Sequence, residues 1–125
     1  MSTEISHTTK TYPRLPYEAI ATAILGRRYH VSLVFVGDTR AKRLNQETRG
    51  KDYIPNVLSF ELEDTAGEIY IAPTVARREA PKFGLSYQGY IGYLFIHGCL
   101  HLKGLPHGDE MDRLEAHYLK QFKLR

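Results

Sequence analysis

His97-Gly98-Cys99-Leu100-His101-Leu102-Lys103-Gly104-Leu105-Pro106-His107 is the stretch on which the reading of this chain turns. His97 and His101 stand four residues apart, so a helix carries both imidazoles on one face, one turn above the other. At that separation both can reach one ion at about 2.0–2.1 Å. Gly104 tolerates the left-handed conformation that ends a helix and turns the chain back. Pro106 stiffens the return that brings His107 to the same point. Three neutral imidazoles with an open fourth position describe a catalytic zinc site, one ion per chain, rather than a closed structural site. His7, His30 and His117 have no such arrangement and read as structural.

Working outward, residues 86–103 form the helical segment that carries the first two histidines, and Asp109 caps a last helix reaching Phe122. Met111, Leu114, Tyr118 and Phe122 on that helix recur at three- and four-residue spacing and face inward. Upstream, Pro73 opens a helix that ends near Pro81. Residues 57–60 and 67–72 read as strands, joined by a polar hairpin turn from Glu63 to Gly67. Asp38 is placed to cap a helix reaching about Thr48, with Leu44 facing inward. Residues 31–36, rich in β-branched and aromatic side chains, read as a buried strand. Residues 17–25 form a short helix closed by Gly26. The polar residues 1–11 read as a flexible tail, leaving 12–125 as one metal-dependent hydrolase domain. The predicted fold class is α+β: a single small domain with one mixed sheet of about three to four strands, covered by helices that include the histidine-bearing one.

Composition narrows the setting. At 125 residues the chain suits one domain and needs no disulfide framework. Its single cysteine, Cys99, cannot form an internal bridge, which points to a reducing, cytoplasmic compartment and against cysteine-based zinc binding. No stretch approaches the roughly 18 apolar residues of a membrane span, and no membrane partner is expected. A net charge of +3 permits an anionic partner without requiring one.

The histidine spacing equals that of the metzincin proteases, H-E-x-x-H-x-x-G-x-x-H, with Gly98 where the protease has its glutamate. Without that carboxylate a peptidase lacks its general base, and peptide hydrolysis is disfavoured. A second segment runs Leu44-Asn-Gln-Glu-Thr-Arg49-Gly50-Lys51-Asp52-Tyr53-Ile-Pro-Asn56-Val-Leu-Ser-Phe60 and sets Arg49, Lys51 and Asp52 around Gly50 in a loop. Arginine suits a phosphodiester because its planar fork makes two parallel charge-assisted hydrogen bonds. The plainer reading of this loop pairs its cations with Glu47 and Asp52.

Together the two segments resemble the YbeY family of rRNA-maturation endoribonucleases. The family signature H-G-x-L-H-L-x-G-Y-D-H is followed from His97 to Gly104 and ends at His107, while Leu105 and Pro106 replace its Tyr-Asp pair. The family's R-G-K-D and V-L-S-F stand at Arg49 to Asp52 and Val57 to Phe60, preceded by Asn45 and followed by Gly67-Glu68-Ile69. The departure at Pro106 raises the question of whether Asp109 takes the missing acid's place. The resemblance implies a zinc-dependent, single-strand-specific endoribonuclease that matures the 3′ end of small-subunit rRNA and serves ribosome quality control. Its partners would be single-stranded RNA and the small ribosomal subunit, with no DNA expected. Arg49 would hold the scissile phosphate with Lys51 beside it, and Glu68 would play a supporting catalytic part. A metalloprotease-like zinc hydrolase, a non-catalytic ribosome-binding assembly factor and a small-molecule metal hydrolase are the alternatives.

Overall fold

The computed structural model describes residues 2–7 and 12–125, with the side chains of Ser2 and His7 outside the description. In chain order the elements are β1 (Ser2–His7), α1 (Tyr17–Leu25), β2 (His30–Phe35), α2 (Asp38–Arg49), β3 (Val57–Glu63) and β4 (Ala66–Ile71). Then come α3 (Pro73–Glu79), a 3₁₀ turn (Ala80–Phe83), α4 (Tyr87–Lys103) and α5 (Asp109–Gln121). The strands form one mixed sheet in the order β1-β2-β4-β3, with β1, β2 and β4 parallel and β3 antiparallel to β4. The α+β class and the single mixed sheet are as expected from the sequence.

The strand β1 corrects the expectation of a flexible tail over residues 1–11. Thr3 to Ser6 carry little hydrophobic signal, but the backbone of Ser2–His7 pairs with His30–Phe35 in parallel register, and Ile5 packs on the core. Main-chain hydrogen bonds to a neighbour already in place need no apolar run, which is why tertiary context overrides propensity here. The rest of the expected tail, residues 1 and 8–11, lies outside the described residues.

Two apolar clusters hold the layers. On one face of the sheet, Val31, Leu33, Phe35, Ile69 and Ile71 meet α1 and α4. On the other, Val34 and Tyr70 meet Ala41 of α2, with Val36, Ala72 and Val75. Burying each large aliphatic or aromatic side chain stabilises the fold by roughly 1.5–3 kcal/mol. The helix α4 is the central element, with Ile91, Leu94, Phe95, Ile96, Cys99 and Leu100 at most 1% exposed. Burial pushes the Cys99 thiol well above its usual range, so it packs as a small apolar side chain.

Helix caps differ from expectation in detail. Asp38 and Asp109 stand inside the first turns of α2 and α5, and Gly37 and Gly108 occupy the cap positions. Their carboxylates still complement the positive helix ends. Leu44 is only half-buried, and Ala41 and Asn45 form the inward stripe of α2.

Candidate metal centre and cleft

His97 and His101 project from the last two turns of α4, where helix geometry stacks them on one face. At Gly104 (φ 106°) the chain takes the left-handed turn, with the Leu105 N–H donating to the Leu100 carbonyl at 3.1 Å. This turn aims the Leu105 carbonyl at His101 Nδ1, 3.0 Å away. His107 follows on the returning loop, and the three ring centroids lie 4.5–5.0 Å apart. One ligand nitrogen from each ring falls within 4.8 Å of the other two, so His97, His101 and His107 could hold a metal ion together.

The hydrogen bonds support that reading. His101 Nδ1 must donate to the Leu105 carbonyl, and His97 Nδ1 donates to the Glu115 carboxylate. In neutral rings both Nε2 atoms are then bare acceptors, yet they face each other at 3.0 Å. Two lone pairs at that distance are satisfied by a shared cation, a metal ion or a proton held between the rings. The separation is near the roughly 3.3 Å edge of a tetrahedron with 2.0–2.1 Å metal–nitrogen bonds. Burial, then the neighbouring His97 and His107, hold His101 below the ordinary imidazole value, which keeps it in the ligand form. The donor set of three imidazoles fits zinc.

A cleft of about 580 Å³ opens onto the histidines, within the range of ligand sites. Its walls are the end of α2 (Thr48, Arg49), the following loop (Tyr53, Asn56), β3 from Val57 to Phe60, and Gly98 with the three histidines. Because β3 is an outer strand, the cleft runs along a sheet edge.

The predicted residues divide. Arg49 lines the cleft with the histidines and donates to Asn45 Oδ1 at 3.2 Å. Asn45, fully buried, also donates to the Tyr53 carbonyl at 3.0 Å, so one amide braces both Arg49 and the loop. The plainer reading of the loop fails for Arg49: Asp52 pairs with Lys42 and accepts from Gln46. Among the described residues no carboxylate forms a salt bridge with the Arg49 guanidinium. Lys51 is exposed on the loop and is not part of the cleft wall. Glu68 is not brought to the site. It alternates with Gly67 and Ile69, which face Leu102 and Gly98 of α4, so its side chain points to the opposite side of the sheet, beside Tyr70. A period of two fixes that outcome whatever the neighbouring motif. Asp109 is exposed in the first turn of α5.

Sequence reasoning missed Glu115, Tyr53 and Asn56. Glu115 could have been noticed as an acid four residues after Met111, on the inward face of an amphipathic helix. Tyr53 is 51% exposed at the cleft wall, where nothing but tertiary structure places it. Asn56 donates to Glu79 Oε1 at 3.0 Å and fixes the start of β3.

The sequence model described as Endoribonuclease YbeY matches residues 3–123. The chain belongs to the YbeY family. A Bdellovibrio bacteriovorus protein named Endoribonuclease YbeY is 38% identical over 100 residues, covering 78% of this chain and 64% of that protein. A relative of the same name from Aromatoleum aromaticum is 36% identical over 107 residues, covering 79% and 70%. The aligned region thus spans only about two thirds of the length of these YbeY proteins. The fold is similar to the solution structure of TM1509 from Thermotoga maritima, with a TM-score of 0.69 and 27% identity over 97% of this chain and 89% of that one.

Proposed function

We propose that the protein is a zinc-dependent endoribonuclease that cuts single-stranded RNA in the cleft between α4 and β3. The observation that supports this most directly is Arg49, whose guanidinium has no carboxylate partner among the described residues, on the wall of one cleft with three convergent histidines. Arg49 would grip the scissile phosphate through its two-pronged fork and stabilise the charge that grows there in the transition state. A bound zinc would supply Lewis-acid charge at the phosphate and lower the pKa of a water toward ~7. Lys51, exposed beside the cleft, would add attraction for the RNA backbone. Tyr53 offers a half-exposed ring on which an unpaired base can stack, which favours single strands over duplex. Maturation of the 3′ end of small-subunit rRNA, in the cytoplasm and at the small ribosomal subunit, is the role we assign by family. Among the described residues no helix is long and apolar enough to cross a membrane.

The test is cleavage of one RNA sequence, single-stranded and in duplex, by protein loaded with zinc. The single strand is expected to be cut and the duplex spared, and a chelator should stop cleavage while the circular dichroism spectrum stays unchanged. Chelation that unfolds the protein would favour the non-catalytic assembly factor, whose metal serves only stability. No cleavage by fully zinc-loaded protein would sink the nuclease reading.

One observation favours a peptidase: the outer edge of β3 borders the histidines, and a peptide could pair with it. Gly98 opposes it. A β-carbon there would meet Ile69 side-chain atoms at 3.0–3.2 Å, because α4 lies close on β4 at this residue. Gly98→Glu is therefore expected to lower stability by roughly 1–3 kcal/mol through overpacking, and to gain no peptidase activity. Denaturant unfolding and a peptide-cleavage assay check both parts.

A further inference from the structure

Glu115 lies on α5, and its side chain is 6% exposed. Its carboxylate accepts from His97 Nδ1 and from the Tyr93 hydroxyl, the latter at 3.3 Å. Among the described residues no lysine or arginine reaches it. A carboxylate buried without a fixed counter-charge opposes folding in general, so its presence here needs a reason outside packing. Among the described residues the cationic features it can address are the His97 ring itself and whatever His97 holds on its far nitrogen. A histidine that donates from one ring nitrogen to a carboxylate presents the other nitrogen as a fixed, more basic ligand.

We propose that Glu115, itself held by Tyr93, is a positioning residue for the metal: it locks His97 in the tautomer that presents Nε2, and its buried charge is balanced by the bound divalent cation. This rests on the metal reading above and not on the identity of the substrate. The arrangement links α5 to the site, because the acid comes from a different helix than His97. It also separates two effects that a merely structural acid would combine. Removing the charge should weaken the metal while leaving the metal-free fold no worse, since a buried uncompensated charge is removed with it.

The experiment uses the full chain at pH 8, where free imidazole is neutral. Zinc affinity is measured by competition with a chromogenic chelator, the absorption of the cobalt-loaded protein is recorded, and the metal-free protein is melted. In Glu115→Gln the amide oxygen still accepts from His97 but the charge is gone. This variant is expected to bind zinc about 10–100-fold more weakly, to shift the cobalt ligand-field bands, and to melt metal-free no lower than wild type. Zinc affinity within twofold of wild type overturns the proposal. So does a metal-free melting temperature below wild type, which would make Glu115 a packing residue. Tyr93→Phe is a second, independent arm, used where Glu115→Gln yields no soluble protein to melt: a loss of about two- to fivefold in zinc affinity supports the link, and unchanged affinity overturns it. Wild-type protein that takes up no zinc would instead sink the metal reading itself, and wild-type protein that binds zinc but leaves RNA intact would sink only the nuclease.

Discussion

Purified His101→Ala is expected to be folded, to carry no zinc above background and to leave RNA uncut. His101 is the better histidine to remove. Its Nδ1 partner is the backbone carbonyl of Leu105, a partly exposed residue just after the turn at Gly104, and not a buried carboxylate. Removing His97 would instead strand the buried Glu115 carboxylate and confuse metal loss with unfolding. Losing a direct ligand should weaken zinc by more than the roughly 10–100-fold typical of an outer-shell partner. Elemental analysis of protein made without a metal-affinity tag checks this, with a thermal melt as the control on folding. About one zinc per wild-type chain, absent from the variant, is the expected result. Zinc retained in a folded His101→Ala would remove this histidine from the site.

Arg49→Ala has the second large effect, and it lies on the other wall of the cleft. Arg49 is exposed and its guanidinium donates to Asn45, so among the described residues its loss leaves no buried group unpaired other than one amide oxygen. Stability and zinc content should therefore stay near wild type. Cleavage should fall about 10²–10³-fold in kcat, the cost usual for removing one donor that faces developing transition-state charge. Single-turnover cleavage at saturating protein separates this loss from weaker RNA binding. Cleavage at the wild-type rate would remove Arg49 from the mechanism and leave the histidines without a phosphate-holding partner in this cleft.

These two variants test residues that were legible in different ways. The histidines were readable because their geometry is local: four residues along a helix and a glycine-ended turn bring three rings together with little help from the rest of the chain. Arg49 was readable as a phosphate-type cation in a loop, but its freedom from Asp52 was not, since Lys42 and Gln46 claim that acid from an adjacent turn of α2. Glu68 looked plausible beside a family motif and lies on the wrong side of the sheet, a consequence of strand alternation once Ile69 is committed to α4. Glu115 was hidden because nothing in its neighbourhood marks it: its partner is 18 residues away on another helix.

The elements from α1 onward, the α+β class and the clustering of His97, His101 and His107 were legible from the residues alone, because apolar periodicity, glycine stops and i,i+4 spacing act over a few residues. That Ser2–His7 is a strand, that β3 is an outer strand beside the histidines, that Glu115 contacts His97 and that Tyr53 lines the cleft came only from the folded arrangement. Each of those facts depends on a partner distant in the chain, and pairing at a distance is chosen by how the two apolar faces of the sheet are covered, which no local pattern records.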